Sequence, residues 1–111
     1  MTFYRGTKSS VPSPRVGWCL TTDEDAAESY ARGAQVCAFS FDDSGLTVAD
    51  VEVSREDIDD NNWPGDTAAS IAALVAMGYD AVTYMDMDES GRTHPTLRLL
   101  TAAAVAALSP V

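Results

Sequence analysis

Residues 67–86 read TAASIAALVAMGYDAVTYMD, in which a helix pattern comes directly before a strand pattern. Either Asp66 or Thr67 can cap the helix, and Gly78 can end it. Apolar residues recur along one helix face, namely Ala68, Ile71, Ala72 and Val75, with Leu74 beside them. Residues 79–86 alternate instead with the period of a strand. This alternation predicts one strand face that carries Val82, Tyr84 and Asp86.

The same two patterns extend to both sides of this stretch. Strands are predicted at residues 2–5, 35–41, 46–53 and 96–100, and loops at residues 7–17 and 88–94. Helices are predicted from the cap Thr22 to Gly33 and from Ala102 to Leu108, and residues 54–65 have room for a short one. The strands and helices follow no regular βαβ order. The predicted fold class is therefore α+β rather than a doubly wound sheet.

The composition favours a single domain covering residues 1–111. Of the 111 residues, 46% are hydrophobic, which is enough for a core without disulfides or metals. Cys19 and Cys37 do not form a CxxC pair, and with the one histidine, His94, they do not make a usual zinc site. We therefore expect no metal and no disulfide.

The formal net charge of −10 at pH 7 bears on the partners. It argues against direct binding of nucleic acid, which depends on neutralising phosphates with Lys and Arg. It favours a basic protein partner, including one that itself binds nucleic acid, although the simpler interpretation is that it keeps the protein soluble. No segment has transmembrane length, and Arg5 and Lys8 interrupt the opening where a signal peptide would be apolar. The sequence predicts a cytoplasmic protein that binds no membrane.

No sharp catalytic motif stands out from the residues alone. The chain lacks GxSxG, P-loop and GxGxxG patterns and a histidine pair at metal-binding spacing. Three places carry polar residues that suit a site. They are Arg5 at the end of the first strand, Thr21 and Thr22 at the entry to a helix, and Asp86, Asp88 and Glu89 at the exit of an apolar strand.

Three segments resemble the ADP-ribosyltransferases, in the family's order and spacing. Residues 3–7, FYRGT, are similar to the first motif, in which an Arg or His on the opening strand begins the NAD+ site. Residues 17–23, GWCLTTD, followed by a helix that closes on Tyr30 and Ala31, are similar to the second motif. Residues 78–86, GYDAVTYMD, resemble the strand that runs into the catalytic acid. The small size and this third motif resemble small phage anti-CRISPR ADP-ribosyltransferases, in which an Asp replaces the usual Glu.

The resemblance implies a split β-sheet with a few short helices around an NAD+ cleft. The residues it implies for binding NAD+, the co-substrate, are Tyr4, Arg5, Gly6, Thr7, Trp18, Thr21 and Tyr30. The implied catalytic acid is Asp86. Many relatives place a Glu just before the last strand, where this chain has Thr93, His94 and Pro95, so Asp88 and Glu89 stay open as alternatives.

Each implied role has a physical basis. Arg5 would hold ribose or phosphate through its forked donors, and Gly6 would let the backbone approach the nucleotide closely. Thr21 would hydrogen-bond the ribose or steady the acid, and Tyr30 or Trp18 would offer a flat surface to nicotinamide. His94 is expected to be exposed.

The implied function is a mono-ADP-ribosyltransferase that modifies a protein, in a phage or bacterial defence or toxin setting such as an anti-CRISPR. An NAD+ glycohydrolase, which transfers ADP-ribose to water, stays open. So does a non-enzymatic acidic inhibitor or interaction module that binds a basic partner. Many such transferases choose the acceptor with the residue two positions before the acid. That residue is Tyr84 here, rather than the Glu or Gln used for arginine, which weighs against an arginine acceptor.

Overall fold

The computed structural model describes residues 2–7, 13–32, 35–87 and 91–111. The strands in these ranges are β1 (Thr2–Thr7), β2 (Cys19–Thr21), β3 (Gln35–Phe41), β4 (Val48–Asp50), β5 (Ala81–Met87), β6 (Thr93–Leu99) and β7 (Leu108–Pro110). The helices are α1 (Glu24–Ala31), α2 (Arg55–Asp59), α3 (Ala68–Ala76) and α4 (Ala102–Ala106). The prediction of an α+β fold is confirmed.

The described strands form one mixed sheet in the order β4-β5-β6-β2-β1-β3-β7. β4 and β5 run parallel, and the other neighbouring strands run antiparallel. β1 pairs with β3 along its whole length, and β5 with β6 along its whole length. Between β1 and β2, by contrast, the described pairing is the single pair Tyr4 and Thr21. The seam between β1 and β2 is therefore the most sparsely paired boundary among the described strands.

The strand registers bring polar side chains together on one face of the sheet. Tyr4 pairs with Thr21, Thr21 with Thr96, and Thr96 with Tyr84, so these four form a row across β1, β2, β6 and β5. Asp86 pairs with His94, two residues further along the same strands. Since residues two apart on a strand share a face, Asp86 and His94 lie on the same side of the sheet as this row.

The hydrophobic core has two parts. The larger part packs Trp18, Leu20 and Phe39 against residues of β5, β6 and α4. The smaller part places Val82, Tyr84 and Leu100 under α3 and Trp63. Both cysteines are free thiols. No helix in the described ranges is long and apolar enough to span a membrane.

Helix α1 begins one residue later than predicted. Asp23, not Thr22, is the N-cap, and its side chain accepts a hydrogen bond from the Ala26 N–H. The Asp23 N–H in turn donates to Thr21 Oγ1 at 3.1 Å, so the end of β2 is tied to the start of α1. The predicted end at Gly33 lies outside the described residues.

Several predicted boundaries were wrong, each for an identifiable reason. The strand predicted at 46–53 is regular only over β4, although the Val51 N–H still donates to the Thr83 carbonyl, and a capping box at Ser54 then starts α2. The last long strand begins at Thr93 rather than at residue 96. Pro95 is tolerated there because β2 pairs with β6 only over residues 96–98, which leaves β6 a single neighbour at Pro95.

One error concerns the end of a helix. The predicted helix to Leu108 stops at Ala106, and the chain then adds β7 to the edge of the sheet beside β3. The end of α3 was predicted correctly, because Gly78 follows the C-cap Met77 in the left-handed conformation and closes the helix. None of the residues of α3 is fully buried. The face predicted to be apolar meets the core through Ile71, which is joined by Leu74, whereas Val75 is exposed.

Candidate functional site

A cavity of about 360 Å³ lies at the seam of the sheet, between β1, β2, α1 and the paired ends of β5 and β6. We call it the seam cavity. Its volume falls within the roughly 300–1,000 Å³ that is typical of small-molecule sites. Of the residues that the sequence predicts for NAD+ binding and catalysis, those that line it are Tyr4, Arg5, Gly6, Thr21, Tyr30 and Asp86. His94 and Thr96 also line it.

The Arg5 guanidinium is fixed by two contacts. Its Nη1 donates to the Cys19 carbonyl at 2.9 Å, and its central carbon lies 4.3 Å from the centre of the Trp18 ring. Burial lowers the pKa of Arg5, the Cys19 side chain opposes this, and Arg15 and Arg98 lower it further. Arginine nevertheless keeps its charge in proteins. Within the described residues the side chain makes this one hydrogen bond, so its other N–H groups can bind an anionic ligand.

Thr21 is buried at the floor of the seam cavity. Its hydroxyl oxygen already accepts the Asp23 N–H at the entry to α1. A hydroxyl has one donor and a second lone pair left after such a contact. Thr21 therefore holds the strand-to-helix turn and still presents a polar group to the cavity.

His94 is the residue that the sequence analysis placed wrongly. It was expected to be exposed, but only 2% of its surface is accessible. The Tyr30 hydroxyl lies 3.1 Å from Nε2, and the Thr96 hydroxyl lies 3.3 Å from Nδ1. The ring of Tyr30 meets the imidazole edge to face, with centroids 5.6 Å apart. His94 thus fixes the orientation of Tyr30, which remains 49% exposed at the cavity mouth.

Asp86 stands between the seam cavity and a second one. Its Oδ1 accepts the Met87 N–H at 2.7 Å, and it is only partly buried. The second cavity, of about 530 Å³, lies between the end of β5, the segment 50–53 and Trp63. Asp86 lines both cavities. The alternative acids Asp88 and Glu89 lie outside the described residues.

Trp18 and Thr7 do not line the seam cavity. Trp18 is 7% exposed and packs edge to face on Phe39 at 5.9 Å, because it belongs to the hydrophobic core. Its contact with the Arg5 guanidinium makes it a support for that side chain rather than a surface for nicotinamide. Thr7 pairs with Gln35 at the end of β1.

Gly6 lines the cavity, but a different contact explains its lack of a side chain. A Cβ at this position would lie 2.7 Å from the Ala27 carbonyl oxygen and 2.7 Å from the Ala31 nitrogen. Such distances are too short for van der Waals contact, and both atoms belong to the backbone of α1. Gly6 therefore lets α1 pack directly on β1, which is not the role that the resemblance implied.

Tyr84 is buried, with 2% of its surface exposed, and supports the site from below. Its hydroxyl accepts hydrogen bonds from Arg98 Nε at 3.3 Å and Nη2 at 3.0 Å, and Cys19 Sγ lies 3.7 Å away. Burial, with the Cys19 side chain adding to it, raises the pKa of Tyr84 well above its usual value. Arg98 also donates to the Gly65 carbonyl at 2.8 Å. Tyr84 has no access to an acceptor, so its identity carries no information about arginine acceptors.

Sequence reasoning missed His94, Thr96 and Arg98 as parts of one group. The signal that could have found them is the alternation of these three residues along β6, which places them on one face. The predicted start of that strand, three residues too late, hid this pattern. No protein-family model, curated protein or solved structure matches this chain.

Proposed function

We propose that this chain is an NAD+-dependent mono-ADP-ribosyltransferase that modifies a protein. The observation that carries the proposal is the shared cavity of Arg5, Thr21 and Asp86, which come from three distant segments of the chain. A cation, a hydroxyl and a carboxylate around one opening suit a ligand with phosphates, ribose hydroxyls and a reacting sugar carbon. The single pair that joins β1 and β2 agrees with the split sheet expected for such an enzyme.

The reaction breaks the bond between C1′ of the ribose and the nicotinamide nitrogen. Positive charge builds on the sugar in an oxocarbenium-like transition state, as in glycoside hydrolysis. In the proposed mechanism the Asp86 carboxylate faces this charge and stabilises the transition state more than the ground state. One well-placed charged group of this kind is worth about 3 kcal/mol, by analogy with oxyanion-hole donors.

The remaining residues bind and orient NAD+ in this proposal. Arg5 binds the diphosphate, since its half-buried guanidinium is fixed by Cys19 and Trp18 and keeps donors for a ligand. Tyr30 presents its ring to nicotinamide, held in place by His94. Thr21 binds a ribose hydroxyl beside the start of α1. Asp86 then lies at the boundary with the second cavity, where an acceptor can reach the sugar.

The test is labelling of protein from NAD+ carrying a radiolabelled adenylate group, in a bacterial lysate. The unmodified chain is compared with Asp86→Ala, and with Asp43→Ala as a control in an exposed turn away from both cavities. We expect a labelled band with the unmodified chain and the control, and none with Asp86→Ala. Nicotinamide release without labelled protein would favour the glycohydrolase instead. Labelling that persists in Asp86→Ala would overturn the proposed role of Asp86.

A non-enzymatic acidic module is the second candidate, supported by the net charge of −10 and the exposed acids of α2 and the turn at 42–43. Long-range attraction would then bring a basic partner, for example a nucleic-acid-binding protein of a bacterial defence system. Binding of this kind weakens with added salt and needs no NAD+. This candidate would be favoured if the chain captures the same partner with and without NAD+, and if high salt abolishes the capture.

A further inference from the structure

Apart from Asp86, the residues that line the second cavity take no part in the proposed NAD+ site. The charged residues among those described around it are Asp50, Glu52 and Asp86, all of them acids. Apolar side chains form most of the remaining wall, namely Val51, Val53, Ile58, Met85 and Met87. We call this the acidic cavity. Its lining therefore matches a ligand that is apolar along its length and positively charged at one end.

Trp63 gives the acidic cavity a fixed aromatic wall. Its ring stacks on Tyr84 with centroids 6.1 Å apart and an angle of 23° between the planes. Its Nε1 donates to Asn61 Oδ1 at 2.9 Å, which helps to orient the ring. A cation over an indole ring is attracted by the negative face of the ring, and tryptophan is the best partner among aromatic residues.

Two carboxylates at the rim are positioned to complement a cation. Asp50 Oδ1 accepts a hydrogen bond from Thr83 Oγ1 at 2.9 Å, which orients the group and leaves its second oxygen for a ligand. Glu52 is exposed, two residues along the same segment. Lysine and arginine are the side chains with a long apolar stem and a charged end, so they match both the walls and the rim.

We infer that the acidic cavity binds the lysine or arginine side chain of the protein acceptor, on the side of Asp86 opposite NAD+. The acceptor part of this inference rests on the proposed function. The acceptor nitrogen forms a bond to C1′ as the bond from C1′ to nicotinamide breaks. Nicotinamide leaves as a neutral molecule with the electron pair of that bond. The bound cation has no free electron pair for this attack, so its nitrogen first gives a proton to a lining carboxylate, which passes the proton on to water.

The test measures binding of a fluorescent glycine–serine peptide with one central arginine, by anisotropy and without NAD+. Peptides with lysine, citrulline or norleucine at the same position separate charge from shape. We expect the arginine and lysine peptides to bind and the two neutral peptides not to bind. The stronger binder of the cationic pair identifies the favoured acceptor side chain.

The variants Glu52→Lys and Asp43→Lys change the net charge equally, so a difference between them locates the binding. Glu52→Lys is expected to weaken binding of the cationic peptides by about tenfold, and Glu52→Gln by roughly two- to fivefold. Asp43→Lys, in the exposed turn between β3 and β4, is expected to have an effect smaller than twofold because it acts only through the overall charge. Melting curves of all variants verify that the fold is retained.

The outcomes separate this inference from the proposed function. Equal binding of the citrulline peptide, or equal losses in Glu52→Lys and Asp43→Lys, would overturn the inference. Labelling of protein from NAD+ in the bacterial lysate, measured without peptide, tests the proposed function independently. If labelling is absent while cationic peptides bind in the expected pattern, the cation-binding cavity stands and its role as an acceptor site is overturned.

Discussion

Asp86 and His94 are direct partners across β5 and β6, and both line the seam cavity. The imidazole nitrogens are engaged by Tyr30 and Thr96, and Asp86 forms no ion pair within the described residues. The strand pair therefore fixes a carboxylate beside an ordered aromatic group without neutralising its charge. In the proposed mechanism, this places the catalytic carboxylate in the same cavity as the Tyr30 ring that would hold nicotinamide.

Arg5→Lys should weaken NAD+ binding by about tenfold, because a lysine cannot reproduce the forked donors of a guanidinium. Arg5→Ala should weaken binding further. Isothermal titration with NAD+ measures both. Because Arg5 also contacts Cys19 and Trp18, the melting temperature is recorded alongside, and unchanged NAD+ affinity in a folded Arg5→Ala protein would remove Arg5 from the site.

Tyr30→Phe and Tyr30→Ala should separate the two roles of this side chain. Loss of the hydroxyl removes the hydrogen bond to His94 and should cost about 1 kcal/mol of unfolding free energy, with a small change in KM for NAD+. Loss of the ring should raise KM severalfold, because nicotinamide then has no surface to stack on. Steady-state kinetics and urea unfolding report the two effects. Equal KM values for the Phe and Ala variants would contradict stacking by Tyr30.

Gly6→Ala should destabilise the fold by about 1–3 kcal/mol, because the added methyl group would collide with the backbone of α1. Urea unfolding measures the change. Ser40→Ala, on the exposed side of β3, serves as a control and should have an effect below about 0.5 kcal/mol. A Gly6→Ala protein as stable as the original would show that α1 does not pack on β1 as described.

The free energy of unfolding should fall as the pH rises above about 8.5. Burial raises the pKa of the Cys19 thiol, and burial with Cys19 raises that of Tyr84. Between their unfolded and folded pKa values, the unfolded chain binds fewer protons than the folded chain, so stability is full below the unfolded values and is lost at higher pH. In Cys19→Ala, the free energy of unfolding should fall less steeply over the lower part of this pH range. Identical pH profiles for the two proteins in urea unfolding would contradict this coupling.

The parts of the fold that local patterns determine were predictable from the sequence. The strand at Gln35–Phe41 and the helix capped by Thr67 follow from alternation and capping, which act over a few residues. β7 was not predictable, because Ser109 and Pro110 are poor strand formers and only pairing with β3 makes them a strand. The exposed apolar face of α3 also depends on tertiary packing, which periodicity does not report.

The candidate site, too, was predictable only in part from the sequence. The resemblance pointed to Arg5, Thr21 and Asp86, and these residues line one cavity. Trp18 was misassigned because an aromatic residue next to a motif can equally well belong to the core, and only packing decides which. The acidic cavity was not predictable because it is assembled from the segment 50–53, Trp63 and the end of β5, which no short motif connects.

The proposed function requires that NAD+ is cleaved in the seam cavity with Asp86 as the catalytic acid. The direct measurement is the rate of nicotinamide release by purified protein at saturating NAD+, for the unmodified chain and for Asp86→Asn. We expect the rate to fall about 10²–10³-fold in Asp86→Asn, with the NAD+ dissociation constant and melting temperature little changed. Equal rates for the two proteins, or release by the unmodified chain no faster than without protein, would contradict it.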